Sequence, residues 1–434
     1  MASEFPANAA HMLSRVLGRW GLGRLAHNTV VSTFWQYARI GTQALWLIAI
    51  AHCLGPAGYG SFAGLAGLAI AMSGLSGIGS SLLLLKNVSR DHATLSAQWR
   101  KAVFTTLITG VALTVIFCAV ASPICGYRVP WPTLALIGSS ELLCVPIVNI
   151  ASFSFQAHER LSWTGAFPAC MAASRFFAAA GMWAFGSTNT LSLYTGFHFT
   201  ASVLVVLFAV SVVQFVLHPS RSRYELTRND IREGLTFSSI WLTSNTLSEL
   251  DKTLTLKFAD SEVAGIYAAA YRLTSVLTQP VVALSSAVQP RLFRQSGHDS
   301  RAERGSLVRR IAMSTAGYGI LASLALLLLA GVLPVVLGQA FARSADTVYW
   351  LVLVPPFYSL RLMGNTILMT MGRQSTRFLV EIGGIALLIA LCVLLVPTFG
   401  QHGTAIAVSV TEAFLAACVW AILWGTTAVT TTTT

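Results

Sequence analysis

Long apolar runs alternate with short polar segments along most of the chain. A helix needs about 20 consecutive apolar residues to cross the core of a bilayer, and each run reaches that length. Helices are expected because lipid offers no partners for backbone N–H and C=O groups, whereas barrel strands would alternate over about ten residues. The pattern predicts about twelve spanning helices, at 30–53, 60–85, 102–121, 132–156, 164–186, 191–217, 235–257, 263–289, 310–333, 346–371, 377–397 and 402–424.

Basic residues are concentrated in every second loop between these predicted helices. One set of loops carries Lys86, Arg90, Arg100, Lys101, Arg160, Arg221, Arg223, Arg228, Arg232, Arg291, Arg294, Arg301, Arg304, Arg309, Arg310, Arg373 and Arg377. The alternate set carries Arg128, Lys257 and Arg343. Because loops rich in Lys and Arg stay in the cytoplasm, the first set is predicted to be cytoplasmic. Both termini are then cytoplasmic too, as an even number of spans requires.

Composition supports a membrane protein and restricts the partners. Of the 434 residues, 55% are hydrophobic and 10% are charged, whereas a soluble domain carries roughly 25% charged residues. The formal net charge of +12 does not indicate a nucleic-acid partner, because the basic residues lie in short loops between apolar runs. Most of the 7 Cys lie inside those runs, with neither a disulfide pattern nor metal-binding spacing. No cofactor and no metal are therefore expected.

Polar segments divide the chain into five parts. Residues 29–217 and 235–425 are predicted to form an N-terminal and a C-terminal six-helix lobe, joined by a cytoplasmic linker at 218–234. Basic and apolar residues alternate at helical spacing in residues 1–28, which favours an amphipathic helix on the membrane surface. A frayed tail with a few apolar anchors is the alternative for that segment. Residues 426–434 end in a run of Thr and are expected to be disordered.

A weak internal repeat relates the two halves. The first copy is a turn of small residues, Leu54-Gly55-Pro56-Ala57-Gly58-Tyr59-Gly60, followed by an apolar run that ends in basic residues. The second copy lies about 205 positions later, where Ala259-Asp260-Ser261-Glu262-Val263-Ala264-Gly265-Ile266-Tyr267 precedes a similar run. Inexact symmetry between two hydrophobic halves is common in secondary transporters.

Ten ionisable residues fall within the predicted membrane helices: Arg39, Glu141, Arg175, Glu249, Asp251, Lys252, Arg272, Arg361, Glu381 and Glu412. A central Arg or Lys costs about 2.5–3.5 kcal/mol on the insertion scale, so five cations facing lipid would together cost on the order of 15 kcal/mol. These side chains are therefore expected to face a bundle interior or a wet cavity. Carboxylates at depth are nearly as many as cations, so pairing of some cations is the alternative, and for Asp251 and Lys252 the alternative is a local ion pair with a third residue. Arg39 has the alternative of extending to the cytoplasmic face. Glu381 is near a helix end and is expected at the interface.

Helical spacing predicts which spans have a polar face. Spans one, seven and eight have such a face. In span one it contains Trp35, Arg39, Thr42 and Trp46; in span seven it contains Ser238, Trp241, Asn245, Ser248 and Lys252, with Glu249 alongside; and in span eight it contains Arg272, Ser275 and Gln279. Span two instead carries the small residues of a close-packing helix: Gly60, Gly64, Gly67, Gly74, Gly77 and Gly79. Three histidines lie alone near helix ends and are expected to be structural: His158, His198 and His402.

Several of these motifs resemble those of bacterial polysaccharide flippases of the Wzx type. The turn Leu54–Gly60 and the small-residue helix after it resemble their second helix. Parts of their seventh and eighth helices are similar to Leu250-Asp251-Lys252-Thr253-Leu254, Ala264-Gly265-Ile266-Tyr267-Ala268-Ala269-Ala270-Tyr271-Arg272-Leu273 and Gln289-Pro290-Arg291-Leu292. The resemblance covers roughly residues 30–295. It implies the superfamily of MATE multidrug exporters and lipid II flippases, with two pseudo-symmetric six-helix lobes around a central cavity.

The resemblance also implies a function. The expected cargo is an oligosaccharide on undecaprenyl diphosphate, moved from the cytoplasmic to the periplasmic leaflet of the bacterial inner membrane. Membrane lipid, a polysaccharide polymerase and a chain-length regulator are the other partners it implies. A diphosphate needs cations in a cavity of low dielectric, and the candidate substrate-binding residues are Arg39, Arg175, Lys252, Arg272 and Arg361. The candidates for coupling to protons or sodium are Glu141, Glu249 and Asp251.

Two other functions are weighed against this one. A MATE-like exporter of organic cations should have a cavity dominated by carboxylates, whereas Arg and Lys at least match Asp and Glu at depth here. A membrane-embedded polysaccharide polymerase or ligase needs a sizeable periplasmic loop, and the predicted outside loops are short. The chain is therefore expected to be a transporter and not an enzyme.

Overall fold

The computed structural model describes residues 24–185, 190–220, 227–295 and 301–428. Every regular element in that part of the chain is a helix, which confirms the predicted all-α class of membrane protein. Most of the predicted amphipathic segment, residues 1–23, lies outside the described residues, as do residues 429–434 of the predicted tail.

Fifteen α-helices follow one another in the described part of the chain. They are α1 (Arg24–Ser73), α2 (Ser80–Arg90), α3 (Leu95–Ile124), α4 (Trp131–Ser139), α5 (Val145–Ala157), α6 (Leu161–Phe185), α7 (Leu191–Leu217), α8 (Arg228–Phe258), α9 (Ser261–Gln295), α10 (Arg301–Leu329), α11 (Val332–Leu337), α12 (Ala342–Trp350), α13 (Val354–Thr370), α14 (Gln374–Phe399) and α15 (Gln401–Ala428). Short 3₁₀ segments lie at Ser76–Gly79, His92–Thr94 and Gln339–Phe341, and a π-helical turn joins α4 to α5 at Ser140–Cys144.

Hydropathy separates these helices into two groups. Among the described residues, seven helical stretches are long and apolar enough to cross a membrane, or eight if the bent pair Gln339–Trp350 and Val354–Thr370 is one span. One of the seven is Thr33–Arg90, a stretch of 58 residues that contains the first two predicted spans. Helices α6, α8 and α9 coincide with predicted spans but fall below the criterion. These three carry polar and charged residues at depth, which lowers their hydropathy.

The first two predicted spans meet at a kink and not at a loop. Gly55 lies within α1 with a positive φ of 62°, and Pro56 follows it. Glycine adopts this left-handed backbone because it has no Cβ, and proline fits the start of a helix, where the missing N–H donor is not needed. The turn predicted at Leu54–Gly60 is thus reduced to one non-helical residue.

The predicted second span is interrupted a second time. Helix α1 ends at Ser73 and α2 begins at Ser80, and both Gly77 and Gly79 have positive φ between them. A continuous helix over 60–85 was expected, and this part of the prediction was wrong. The two glycines that the pattern assigned to helix packing lie at the break, where they adopt the left-handed backbone without the strain that a Cβ causes. Ile78 between them also has a positive φ, of 46°.

The described residues divide into two compact units, each assembled from separate parts of the chain. Of the described residues, unit 1 comprises those up to 50, those in 75–116 and those in 135–238, and unit 2 comprises those in 51–74, those in 117–134 and those from 239 onwards. Helix α1 therefore contributes its first part to unit 1 and its second part to unit 2. The predicted lobes at 29–217 and 235–425, and the linker between them, stay predictions.

Unit 1 has an apolar core formed by α2, α3, α5, α6 and α7. Its buried members include Leu84, Trp99, Val148, Phe155, Phe167 and Val213. The ring centre of Phe167 lies 5.6 Å from the ring centre of Phe155 and 5.7 Å from that of Trp163. This core holds α6 and α7 against the helix that carries Glu141.

Unit 2 has its own apolar core and a seam of closely packed backbones. The core contains Leu292, Ile311, Met363, Ile367, Leu368, Val419, Trp420 and Leu423. In the seam, a Cβ on Gly60 would lie 1.8 Å from the carbonyl oxygen of Ser261, and a Cβ on Gly265 would lie 1.9 Å from that of Pro56. The two turns of the internal repeat therefore pack directly against each other. The seam continues along α8, where Gly67 approaches the carbonyl oxygen of Glu249.

Candidate substrate and ion sites

Glu141 lies on the π-helical turn of unit 1 and is almost completely buried. A π turn inserts an extra residue into the helical repeat, and such turns are frequent at functional sites. The Oε1 atom of Glu141 accepts a hydrogen bond of 2.8 Å from Nη2 of Arg175 on α6. The same oxygen lies 3.3 Å from Nε2 of His198 on α7. One carboxylate oxygen therefore serves an arginine and a histidine together.

A chain of hydrogen bonds extends from His198 to α1. Trp46 Nε1 donates to the hydroxyl of Tyr194 at 2.8 Å, and this hydroxyl lies 3.2 Å from Nδ1 of His198. Because the carboxylate of Glu141 can only accept, the proton of a neutral imidazole is on Nε2, where it points to Glu141. Nδ1 then accepts a hydrogen bond from the Tyr194 hydroxyl.

Arg175 keeps donors that the ion pair does not use. Its side chain is 21% exposed, whereas that of Glu141 is 4% exposed. Its Nη2 binds Glu141, and its Nε is buried without a hydrogen-bond partner among the described residues. The predicted substrate-binding and ion-coupling residues of this unit thus form a salt bridge with spare donor capacity.

Arg39 is the predicted cation for which the described part of the chain shows no carboxylate. It is half-buried on α1, and its Nε is buried without a hydrogen-bond partner there. Trp35, one turn earlier on the same helix, packs against Gly165 of α6, where a Cβ would lie 2.6 Å from the Trp35 Cβ. Glycine at 165 thus brings α1 and α6 close together.

Unit 2 brings four of the predicted residues together on α8 and α9. Lys252 Nζ lies 2.9 Å from the carbonyl oxygen of Ser248, 3.1 Å from Oε2 of Glu249 and 3.2 Å from Oδ1 of Asp251. These contacts occupy the three donors of its ammonium group. Asp251 and Lys252 are neighbours on the helix, and the long lysine side chain reaches the carboxylate beside it. Asp251 also accepts a hydrogen bond from the Tyr267 hydroxyl.

The ring of Tyr271 connects this cluster with the remaining cations of unit 2. Lys252 Nζ lies 4.5 Å from the centre of that ring. Arg272, the next residue on α9, interacts with Lys252 electrostatically and hydrogen-bonds the hydroxyl of Tyr59 in the second part of α1. Tyr59 and Tyr271 thus flank the charges with aromatic rings, an arrangement that the spacing of the sequence did not indicate.

Arg361 forms a two-pronged ion pair with a carboxylate. Its Nε and Nη2 donate to the two oxygens of Glu412 at 2.6 and 2.9 Å. Its guanidinium carbon lies 5.1 Å from the ring centre of Tyr358. Both partners of the pair are buried. A structural ion pair was the alternative to substrate binding for this residue, and the geometry matches that alternative.

Glu381 is buried against neighbouring helices. Its carboxylate accepts hydrogen bonds from Asn365, at 3.1 Å, and from Arg377, at 2.9 Å, and a third from Thr243. Helices α8 and α13 cover this end of α14, and the predicted interfacial depth of Glu381 stays a prediction.

Several of the predicted charges are paired within each unit. In unit 1 Arg175 faces Glu141, and in unit 2 Lys252 contacts Glu249 and Asp251 while Arg361 contacts Glu412. Burying a charge is tolerated when an opposite charge accompanies it. The described residues contain no group of three His, Cys, Asp or Glu side chains placed to hold a metal ion.

The sequence relates this chain to proteins of polysaccharide synthesis. Residues 25–296 match the family described as polysaccharide biosynthesis protein, which is more than half of the chain. The chain belongs to the polysaccharide biosynthesis protein family. The matched part of this family member includes Arg39, Glu141, Arg175, Lys252 and Arg272. No curated protein matches it.

Solved structures of transporters share the fold. An inward-facing multidrug resistance MATE family transporter of the MOP superfamily aligns with a TM-score of 0.73 and 14% identity, over 90% of this chain and 96% of its own. An outward-facing transporter of the same description aligns with a TM-score of 0.63 and 13% identity, over 95% and 98%. A MOP superfamily transporter from Pyrococcus furiosus aligns with a TM-score of 0.58 and 14% identity, over 93% and 94%. This family member is therefore a multi-pass membrane protein with the transporter fold of that superfamily.

His198 is the site residue that the sequence did not reveal. It lies 57 positions from Glu141, on a different helix, and a lone histidine carries no signal of its own. The predicted structural role overlooked its contact with a buried carboxylate. Its spacing from Tyr194 by one helical turn is the pattern that would have placed both side chains on one face.

Proposed function

We propose that this protein is a flippase for an oligosaccharide linked to undecaprenyl diphosphate. It moves the lipid-linked unit from the cytoplasmic to the periplasmic leaflet of the inner membrane by ion-coupled alternating access, and so supplies the synthesis of surface polysaccharide. A polymerase and a chain-length regulator would act on the delivered units. Both termini lie in the cytoplasm in this proposal.

The observation that carries the proposal is the family match over residues 25–296. Four of the five candidate cations lie within the matched residues. Arg175 keeps an unused donor, and Arg39 lies half-buried without a carboxylate partner among the described residues. Guanidinium groups bind phosphate oxygens in two-pronged fashion, and this interaction strengthens where water is excluded. The diphosphate of the cargo is the chemical group that such side chains recognise.

Substitution of the arginines tests the proposal. In a strain that depends on this gene, Arg175→Ala and Arg272→Ala should each abolish surface polysaccharide while the protein is still inserted at the normal level. Lipid-linked oligosaccharide should then accumulate on the cytoplasmic side. The matched control is Arg343→Ala, since the Arg343–Glu262 contact is exposed, with 57% exposure of both side chains, and should leave polysaccharide normal. Normal polysaccharide in both arginine variants would remove them from the mechanism.

Export of organic cations is the second candidate, because the fold is shared with multidrug transporters. Their identity of 13–14% supports the fold alone. Drug resistance on overexpression, combined with unchanged polysaccharide after deletion of the gene, would favour this function over the flippase.

A further inference from the structure

The salt bridge between Arg175 and Glu141 neutralises the charge that an anionic cargo would need. Glu141 is 3% exposed and His198 is 1% exposed, so neither has bulk water as a partner. An anion that takes Arg175 away from Glu141 leaves a buried carboxylate without its cation. Breaking a buried pair in this way is strongly unfavourable, because it leaves an uncompensated buried charge. Something must replace the lost positive charge if Arg175 is to leave Glu141 for a phosphate.

His198 provides a place for that replacement. Its Nε2 proton already points to Oε1 of Glu141, so an added proton has two places to go. It can bind the carboxylate of Glu141, or it can bind Nδ1 of His198 if the Tyr194 hydroxyl turns to accept from that nitrogen. The pair can hold the proton on either group, and both states carry the same net charge. The hydrogen bond from Tyr194 keeps the imidazole in this orientation.

We propose that Arg175 exchanges Glu141 for the diphosphate of an isoprenoid lipid, and that this exchange takes up one proton on the Glu141–His198 pair. The inference rests on the proposed function for the class of ligand. It assigns the coupling ion as a proton and adds His198 to the coupling residues. With this sign, anion and proton bind together, whereas a proton displaces the cargo in an exporter that trades protons for organic cations.

The surroundings of the pair contain few competing groups. The titratable groups that face it are Arg175 on α6, Tyr194 on α7 and Cys144 on the π turn. The other elements packed on this turn contribute groups that do not titrate: the indole of Trp46, the hydroxyl of Ser76 and the backbone at Gly110. A proton taken up here is thus expected to reside on Glu141 or His198.

The test is proton uptake by the purified full-length protein in detergent. Farnesyl diphosphate is titrated by calorimetry in two buffers of different ionisation enthalpy, over a series of pH values. The wild type should take up about one proton more per bound ligand than Glu141→Gln, and its dissociation constant should rise by up to about tenfold per pH unit relative to that variant. Glu141→Gln should bind the ligand without this pH dependence, because its neutral amide leaves Arg175 free.

Two further variants separate the outcomes. Glu159→Gln, an exposed carboxylate on the same stretch of chain, should behave as the wild type. His198→Asn should reduce proton uptake. Tyr194→Phe removes the hydrogen bond to Nδ1 and should reduce proton uptake by less than His198→Asn does. Inorganic pyrophosphate serves as a second ligand and shows whether the isoprenoid is required.

Each result has a defined meaning. If the wild type binds farnesyl diphosphate but Glu141→Gln takes up as many protons, the inference is overturned and the proposed function stands. If neither diphosphate binds at any pH, the cargo class is wrong and both fall. If Arg175→Ala binds as tightly as the wild type, the diphosphate does not use Arg175, and the exchange does not occur.

Discussion

Arg361 and Glu412 form a buried two-pronged ion pair between α13 and α15. Two hydrogen bonds of 2.6 and 2.9 Å satisfy both carboxylate oxygens, and Tyr358 covers the guanidinium. Such a bidentate pair leaves little of the arginine for a ligand. Arg175 differs from Arg361 because it binds Glu141 through one nitrogen, Nη2, and its Nε has no hydrogen-bond partner among the described residues.

Removing one partner of the buried pair should cost stability. Glu412→Gln leaves the Arg361 charge without compensation, so the free energy of unfolding should fall by about 3–5 kcal/mol. Thermal unfolding in detergent measures this as a lower melting temperature. The control is Glu262→Gln, whose exposed pair with Arg343 is expected to contribute about 0–1 kcal/mol. Equal effects of the two changes would contradict the assignment of a structural role.

Sequence patterns located the residues of both sites but not their partners. The cost of charge in lipid was enough to single out Glu141, Arg175 and Lys252. Spacing within a helix cannot pair Arg361 with Glu412, because 51 positions and different helices separate them. For the same reason it could not connect His198 with Glu141.

At the scale of elements, glycine decides where helices bend and where they meet. Gly55 and Gly77 have positive φ and mark breaks, whereas Gly60 and Gly265 remain helical and let two backbones touch. Both roles depend on the missing Cβ. At a break it permits a positive φ, and at a helix contact it leaves room for the backbone of the neighbouring helix. The sequence shows the glycines and does not say which role each has.

Adding a methyl group at the helix contact should therefore destabilise unit 2. Gly265→Ala places a Cβ 1.9 Å from the carbonyl oxygen of Pro56, and backbone must move to admit it. The melting temperature should fall, by an amount that corresponds to at least about 1–3 kcal/mol for overpacking. The matched change is Gly383→Ala in α14, where no atom lies within 4 Å of the added Cβ. It should leave the melting temperature unchanged or raise it, since alanine favours a helix by about 1 kcal/mol over glycine. A fall of the same size in both variants would exclude the contact as the cause.

At the scale of the whole molecule, the distribution of basic residues makes an orientation testable. Alkaline phosphatase fused after Arg128 should be active, because that loop is predicted to lie outside, and a fusion after Arg90 should be inactive. Green fluorescent protein fused after the last residue should fluoresce, since it folds in the cytoplasm. Activity of the Arg90 fusion would reverse the predicted topology.

The partition into compact units does not follow the order of the chain. Residues 51–74 belong with residues 239–434, because the glycine seam packs the second part of α1 on α8 and α9. The internal repeat indicated a relation between the turns at Gly60 and Gly265. It did not indicate that they touch, since similarity of sequence says nothing about distance in space.

The sequence by itself determined the helical class, the long apolar stretches and the ionisable residues that lipid makes costly. These follow from local rules, because a bilayer demands satisfied backbone groups and about 20 apolar residues within one segment. The tertiary structure alone decided which charge meets which, that His198 joins Glu141, and that Glu381 is buried. Those features depend on contacts between helices far apart in the chain, and such contacts are set by packing of whole helices and not by the spacing within any one of them.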